Sequence, residues 1–159
     1  KVKKNSFYLT PGKVADTISF IQKGSFRVYY HDIKGKEITT WFSFTGMVIA
    51  DLMAFYTGER AMFYIRALED GEIYTIHKKD LEELYETYPG YGEFGRKFAE
   101  EALTMLMHRT LSLHTKTAEE RYRELLDQPE FMQRIPLKYL ASYLGITDTS
   151  LSRLRRKIK

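Results

Sequence analysis

The chain contains no cysteine. Disulfide bridges, thiolate zinc sites and iron–sulfur ligation through cysteine are therefore excluded, and the absence fits a reducing, cytoplasmic setting. Long apolar runs are missing too. Nothing approaches the roughly 20 residues that a bilayer-spanning helix needs, although 43% of the 159 residues are hydrophobic, enough for a globular core. The four histidines, His31, His77, His108 and His114, are scattered. Only the last two share an expected helix, and at that separation they point in different directions. There is no zinc motif, no Gly-rich phosphate loop ahead of a helix and no Gly-x-Ser-x-Gly turn. Catalysis therefore has no visible seat, and no metal or cofactor is expected. A signal peptide is missing as well. The chain opens Lys1-Val2-Lys3 and enters strand-like sequence at once, so a leading segment is expected to be absent from it.

What is present divides in two. Short strands are expected at Phe7–Leu9, Thr17–Ile21, Ser25–Tyr30, Glu37–Phe44, Met62–Leu68 and Glu72–Ile76. They are rich in β-branched and aromatic residues and punctuated by Pro11-Gly12, Lys23-Gly24, Asp32 to Gly35, Thr45-Gly46 and Glu69-Asp70-Gly71. This spacing predicts a sandwich or barrel of jelly-roll type. From Lys79 the pattern turns helical. Asp80 is placed to cap a helix that Pro89-Gly90 stops. A longer helix follows over about residues 93–115.

On a wheel of 100° per residue, that long helix is apolar around most of its girth. Phe94, Phe98, Ala102 and Met105 form one side, expected to lie on the β-domain. Ala99, Leu103, Leu106, Thr110 and Leu113 form a neighbouring seam with alternating steps of four and three. Only a narrow polar arc remains, around Lys97, Glu101, Thr104 and His108. A helix so covered needs partners on two sides, and the seam suits a second copy of itself. Thr117 and Glu120 then spell a capping box. Tyr122, Leu125 and Leu126 are expected to be buried, and Pro129 to end that helix.

The last stretch carries the clearest functional signal. Pro136 suits a first helical position. Leu137, Leu140, Ala141 and Leu144 repeat at helical spacing, and Gly145 follows where a chain leaving a helix often needs φ > 0. Thr147 is placed to cap a second helix with Leu151, Leu154 and Ile158 as its apolar stripe. This is helix-turn-helix grammar. From Arg134 to Lys159 there are seven Lys or Arg against one acid, a net +6 in a chain of net +4, which leaves −2 for residues 1–133. Positive charge is thus confined to the surface that would meet phosphates.

β-roll, long helix and helix-turn-helix, in that order, resemble the Crp/Fnr family of bacterial transcription regulators over essentially the whole chain. The residues that carry the resemblance run from Arg134 through Ile-Pro-Leu-Lys-Tyr-Leu-Ala-Ser-Tyr-Leu-Gly-Ile to Thr147, then Ser150-Leu-Ser-Arg153, with Thr117-Ala-Glu-Glu-Arg121 as the lead-in to the last domain. It is similar in particular to a short branch that stops just after the recognition helix, without a hairpin wing. The resemblance implies an α+β fold: a cyclic-nucleotide-binding-like double-stranded β-helix (jelly roll) over residues 1–90, a dimerisation helix over 91–115 and a helix-turn-helix DNA-binding domain over 116–159. The implied partners are double-stranded DNA, a second copy of the chain, RNA polymerase and an unidentified small molecule, with no membrane.

Matching residue by residue, Arg153 would reach a base, with a fork suited to guanine O6 and N7. Thr147, Thr149 and Ser150 would enter the groove, and Arg155, Arg156 and Lys157 would hold phosphates. The effector segment departs from the family's pattern. Where nucleotide-binding members carry Gly-Glu-Leu, this chain has Ala50-Asp51-Leu52. Where they carry a phosphate-binding arginine it has Ala61, followed by Met62, with Arg60 one residue away. An anionic phosphate buried without that charge would be costly, so a cyclic nucleotide is not expected. Asp51 is expected to cap the turn after it, and an apolar or neutral ligand would have Trp41, Phe44, Phe55 and Tyr64 to rest on. A ligand-sensing β-roll whose helical tail binds other proteins is the alternative reading. A jelly-roll enzyme is a third.

Overall fold

The structure, a computed structural model, describes residues 1–158. Lys159, counted among the basic residues above, lies outside the described residues. The elements in order are β1 (Phe7–Leu9), β2 (Thr17–Lys23), β3 (Ser25–His31), β4 (Glu37–Phe44), β5 (Val48–Ile49), α1 (Leu52–Thr57), β6 (Tyr64–Ala67), β7 (Glu72–His77), α2 (Lys78–Thr87), α3 (Pro89–Thr115), α4 (Ala118–Leu126), α5 (Pro129–Arg134), α6 (Leu137–Leu144) and α7 (Asp148–Ile158). The fold is α+β, with the strands in the first half and a helical C-terminal part. No helix among the described residues is long and apolar enough to cross a membrane.

All strand pairs are antiparallel and form two sheets, ordered β1-β6-β3-β4 and β5-β2-β7. Alternation along β3 explains the core between them. Phe26 and Val28 point inward, where they meet Ile21, Ile49, Ile65 and Ala67. The opposite face of β3 carries Arg27 and Tyr29, and both are also buried, because helices cover part of that face.

A second core explains the covering. Phe42 and Phe44 at the end of β4 share one apolar cluster with Tyr122, Leu125, Phe131, Ile135, Leu140, Ala141, Leu144 and Leu151. The Phe42 and Phe44 rings lie 5.7 Å and 5.2 Å from that of Phe131. β4 is the edge of its sheet, and α6 seals it. The Ser142 hydroxyl accepts from the Thr39 N–H at 2.9 Å and donates to the Glu37 carbonyl at 3.0 Å. Arg27, 1% exposed, donates to the Thr39 hydroxyl and pairs with Glu37. Its guanidinium is sandwiched between Tyr29 and Tyr139, 4.2 Å and 3.9 Å from the ring centres. Arg134 pairs with Glu69 on the same junction.

Several expectations are corrected. Asp80 does not cap α2: the helix opens two residues earlier with His77 at its N-cap, and Asp80 sits in the first turn, where an acid still complements the helix dipole. Pro89 opens α3 at its first position, which needs no N–H there. The helix therefore starts earlier than expected and runs through Gly90 and Gly92. Pro129 likewise opens α5, and Pro136 is the N-cap of α6 rather than its first residue. Leu126 is exposed.

Both carboxylates at the junction are held below their ordinary value of 4.5. Burial alone would raise both Glu37 and Glu69. A hydrogen bond and charge from Arg27 more than offset it at Glu37, and the Ser25 hydroxyl, with a hydrogen bond and charge from Arg134, does so at Glu69. A depressed carboxylate contributes stability above its unfolded pKa and loses it as pH falls through the folded one. The junction should therefore be intact at neutral pH and loosen on acidification below 4.5. Trp41 fluorescence followed from pH 7 downward should report this, and the acid transition should be blunted in the Glu37→Gln, Glu69→Gln double variant.

Candidate nucleic-acid interface and effector segment

The turn between α6 and α7 begins at Gly145, with φ +73°. That left-handed conformation lets its N–H return to the Ser142 carbonyl while the Ile146 N–H bonds that of Ala141. Thr147 then caps α7 as expected: its hydroxyl accepts from the Ser150 N–H at 3.2 Å and lies 2.9 Å from the Ser150 hydroxyl. Leu151 is fully buried, and Leu154 and Ile158 are half-buried against the same core. With the helix fixed on that stripe, Thr147, Thr149, Ser150, Arg153, Arg155, Arg156 and Lys157 all face solvent. Arg153, Arg155 and Arg156 make no ion pair among the described residues. Lys157 does: its ammonium lies 2.8 Å from Glu119, which Arg123 also holds. The sequence reading missed Glu119, since nothing local ties α4 to the end of α7.

The long helix departs from the expectation in part. On the side expected to lie on the β-domain, Phe98 and Ala102 are half-buried and Met105 lines a groove beneath the helix, but the polar arc borders that groove as well. None of α3 is buried. The side turned toward its own subunit is the polar arc, Lys97, Glu101, Thr104 and His108, together with Met105, Arg109 and Ser112. It faces β4 and α4 across a groove of about 760 Å³. Phe94, on the side expected to lie on the β-domain, is 63% exposed. Charged side chains on the inner arc resist desolvation against the sheet, so the helix stands off. Ala99, Leu103, Leu106, Thr110 and Leu113 are all exposed, and Leu103, at 60%, adjoins equally bare Met107 and Leu111. Arg109 anchors the helix. Its guanidinium stacks on Tyr143 at 3.7 Å and donates to the Tyr143 carbonyl. Arg121 donates to the Leu144 carbonyl at 2.8 Å and to those of Ser112 and Lys116. These two cations serve the C-terminal ends of α6 and α3, where the helix dipole is negative.

The effector candidates do not converge on one cavity. Asp51 is 3% exposed and caps α1 as expected. One carboxylate oxygen accepts from the Ala54 N–H at 3.2 Å, the other from the Met62 N–H at 3.1 Å. Leu52 is half-buried and Ala61 buried, its backbone paired with Gly12 and Lys13. Arg60 is exposed. Met62 is exposed beside Pro11 and Tyr30, whereas Trp41 lines the separate groove under α3. Phe44, though buried, borders the same groove as Trp41, Tyr64 shares a shallow pocket with Met62, and Phe55 is buried apart from both. Among the described residues no cluster of His, Asp or Glu could hold a metal ion.

This geometry has known counterparts. The sequence model of the family described as "Cyclic nucleotide-binding domain" matches residues 1–88, more than half of the chain. No curated protein matches it in sequence. Among solved structures, FixK2 from Bradyrhizobium japonicum is 18% identical, with TM-score 0.84 over 98% of this chain and 81% of that one. A CRP/FNR-family transcriptional regulator from Thermus thermophilus is 15% identical, with TM-score 0.73 over 99% and 83%. CLP of Xanthomonas campestris, a c-di-GMP-responsive global regulator, is 15% identical, with TM-score 0.76 over 99% and 84%. At such identities the likeness is one of fold.

Asp51→Ala should orphan two backbone donors, at about 1–3 kcal/mol for each. Urea denaturation should show this loss, and Asp51→Asn, which keeps one acceptor oxygen, should recover part of it.

Proposed function

The chain belongs to the cyclic nucleotide-binding domain family, and on that premise we propose that it is a homodimeric, sequence-specific DNA-binding transcription regulator of the Crp/Fnr type. In this reading residues 1–90 are a β-roll of jelly-roll type, residues 91–115 the dimerisation helix and residues 116–159 a helix-turn-helix domain. The observation that carries the reading is the division of α7. Leu151 fixes the helix inward, and every groove and phosphate candidate stays outside. The fold neighbours that are named as regulators, the CRP/FNR-family transcriptional regulator of Thermus thermophilus and CLP of Xanthomonas campestris, support it.

Dimerisation explains the bare face of α3. Leu103, Leu106 and Leu113 expose apolar surface that a second copy would remove from water. The twofold axis would set two α7 helices about 34 Å apart and so demand a pseudo-palindromic site. Arg153 would read guanine, while Arg155 and Arg156 would hold phosphates. Lys157 would join them only by leaving Glu119. The effector, if one binds, is no cyclic nucleotide in this proposal. Both oxygens of Asp51 are committed to backbone N–H groups, and Ala61 stands where the phosphate cation would be.

Two experiments test the proposal. Fluorescence anisotropy with a labelled duplex of a selected site should show affinity falling steeply with salt. Arg153→Ala should cost about 1–3 kcal/mol and relax preference at one base pair per half-site. A uniform loss across all sequences would make Arg153 a phosphate contact. No duplex affinity at low salt would favour the protein-interaction reading. In sedimentation equilibrium the wild type should be a dimer and Leu106→Glu a folded monomer. A wild-type monomer would overturn the arrangement.

A further inference from the structure

The groove under α3 has walls of opposite chemistry. Half-buried Trp41 of β4 gives one its open apolar surface, Phe42 and Phe44 beside it being buried; Thr104 and His108 on the polar arc of α3 form the other. Packed dry, the groove would strip water from the arc. Left wet, it exposes aromatic surface. Its volume of about 760 Å³ falls within the range of small-molecule sites, about 300–1,000 Å³.

One end of the groove is cationic. Arg109 and Arg121 both line it, and neither has a carboxylate partner among the described residues. The Arg121 Nε is buried with no hydrogen-bond partner. Burial lowers the Arg109 pKa; Tyr143 opposes the shift and the nearby Arg121 charge adds to it. The acids that line the groove are engaged or distant: Glu124 pairs with Lys116, Glu100 pairs with Arg96, and Glu101 lies about 12 Å up the helix from Arg109.

We propose that this groove binds a small organic anion with a flat apolar body, its acidic group held by Arg109 with Arg121 as second charge, its body laid on half-buried Trp41. The site is separate from the Asp51–Met62 segment and does not depend on DNA binding. It has a mechanical corollary. The anion draws on the guanidinium donors that grip the Tyr143 and Leu144 carbonyls, so its arrival is felt at the turn before α7.

Trp41, the chain's only tryptophan, gives a direct readout. The probe is 1-anilinonaphthalene-8-sulfonate, titrated into the full chain while Trp41 quenching is followed. Single-site saturation is expected. N-phenyl-1-naphthylamine, with the same rings and no sulfonate, should bind about tenfold more weakly or worse, as should the probe to Arg109→Met, since a charge-assisted contact is worth about that much. Arg109→Lys should retain most of the affinity. Equal binding of the neutral compound, or unchanged binding by an Arg109→Met protein with wild-type circular dichroism, would overturn the proposal. Should Arg109→Met fail to fold, the neutral compound and Arg109→Lys decide between the same two outcomes.

Discussion

An unpaired strand edge holds the two halves of this molecule together. β4 ends its sheet, so its outer N–H and C=O groups would face water or a stray strand. One hydroxyl, that of Ser142, meets a donor and an acceptor on that edge and turns it into a seat for α6. Beside it lies a buried guanidinium. Taking a charge out of water costs several kcal/mol. Arg27 offsets that cost with Glu37, the Thr39 hydroxyl and two tyrosine faces, one from each half of the chain. Because Tyr139 and Ser142 both belong to α6, this single docking fixes where the terminal helices stand, and through Gly145 it fixes α7.

The long helix obeys a second constraint. Its polar arc borders the groove while Leu103, Leu106 and Leu113 stay bare, so a single chain covers little of an apolar girth that asks for partners on two sides. The inner arc cannot close on the aromatic residues of β4 without losing water, so a groove persists. The outer face has no cover in a single chain. Both consequences follow from the placement of a few charges, Lys97, Glu101, His108 and Arg109, on one side of an otherwise apolar helix.

Much of this was legible in the sequence where the signal was local. Six strands and their glycine turns rest on runs of eight residues or fewer, and the Thr117–Glu120 capping box, the αL turn at Gly145 and the Thr147 cap on residues within four positions of one another. Asp51 as a cap was legible for the same reason. β5 and α1 were not: two and six residues are too few to show a period. Prolines were read by half: α2 and α4 do end ahead of Pro89 and Pro129, but each proline also opens the next helix, because a first-turn proline and a terminating one leave the same mark. The junction escaped altogether. Arg27 with Tyr139, Glu69 with Arg134 and Glu119 with Lys157 are separated in sequence by 38 residues or more, and no pattern of spacing announces such pairs. Arg109 left a faint sign, a cation next to the polar arc.

Between α3 and α4 the chain bends through Lys116 and Thr117 alone. One guanidinium, that of Arg121 on α4, reaches back across that bend to the Ser112 and Lys116 carbonyls and also holds the foot of α6. The bend is thus a brace instead of a swivel. Through it the foot of α6, and with it the turn into α7, is tied to the end of the long helix, so neither can shift without straining the same guanidinium.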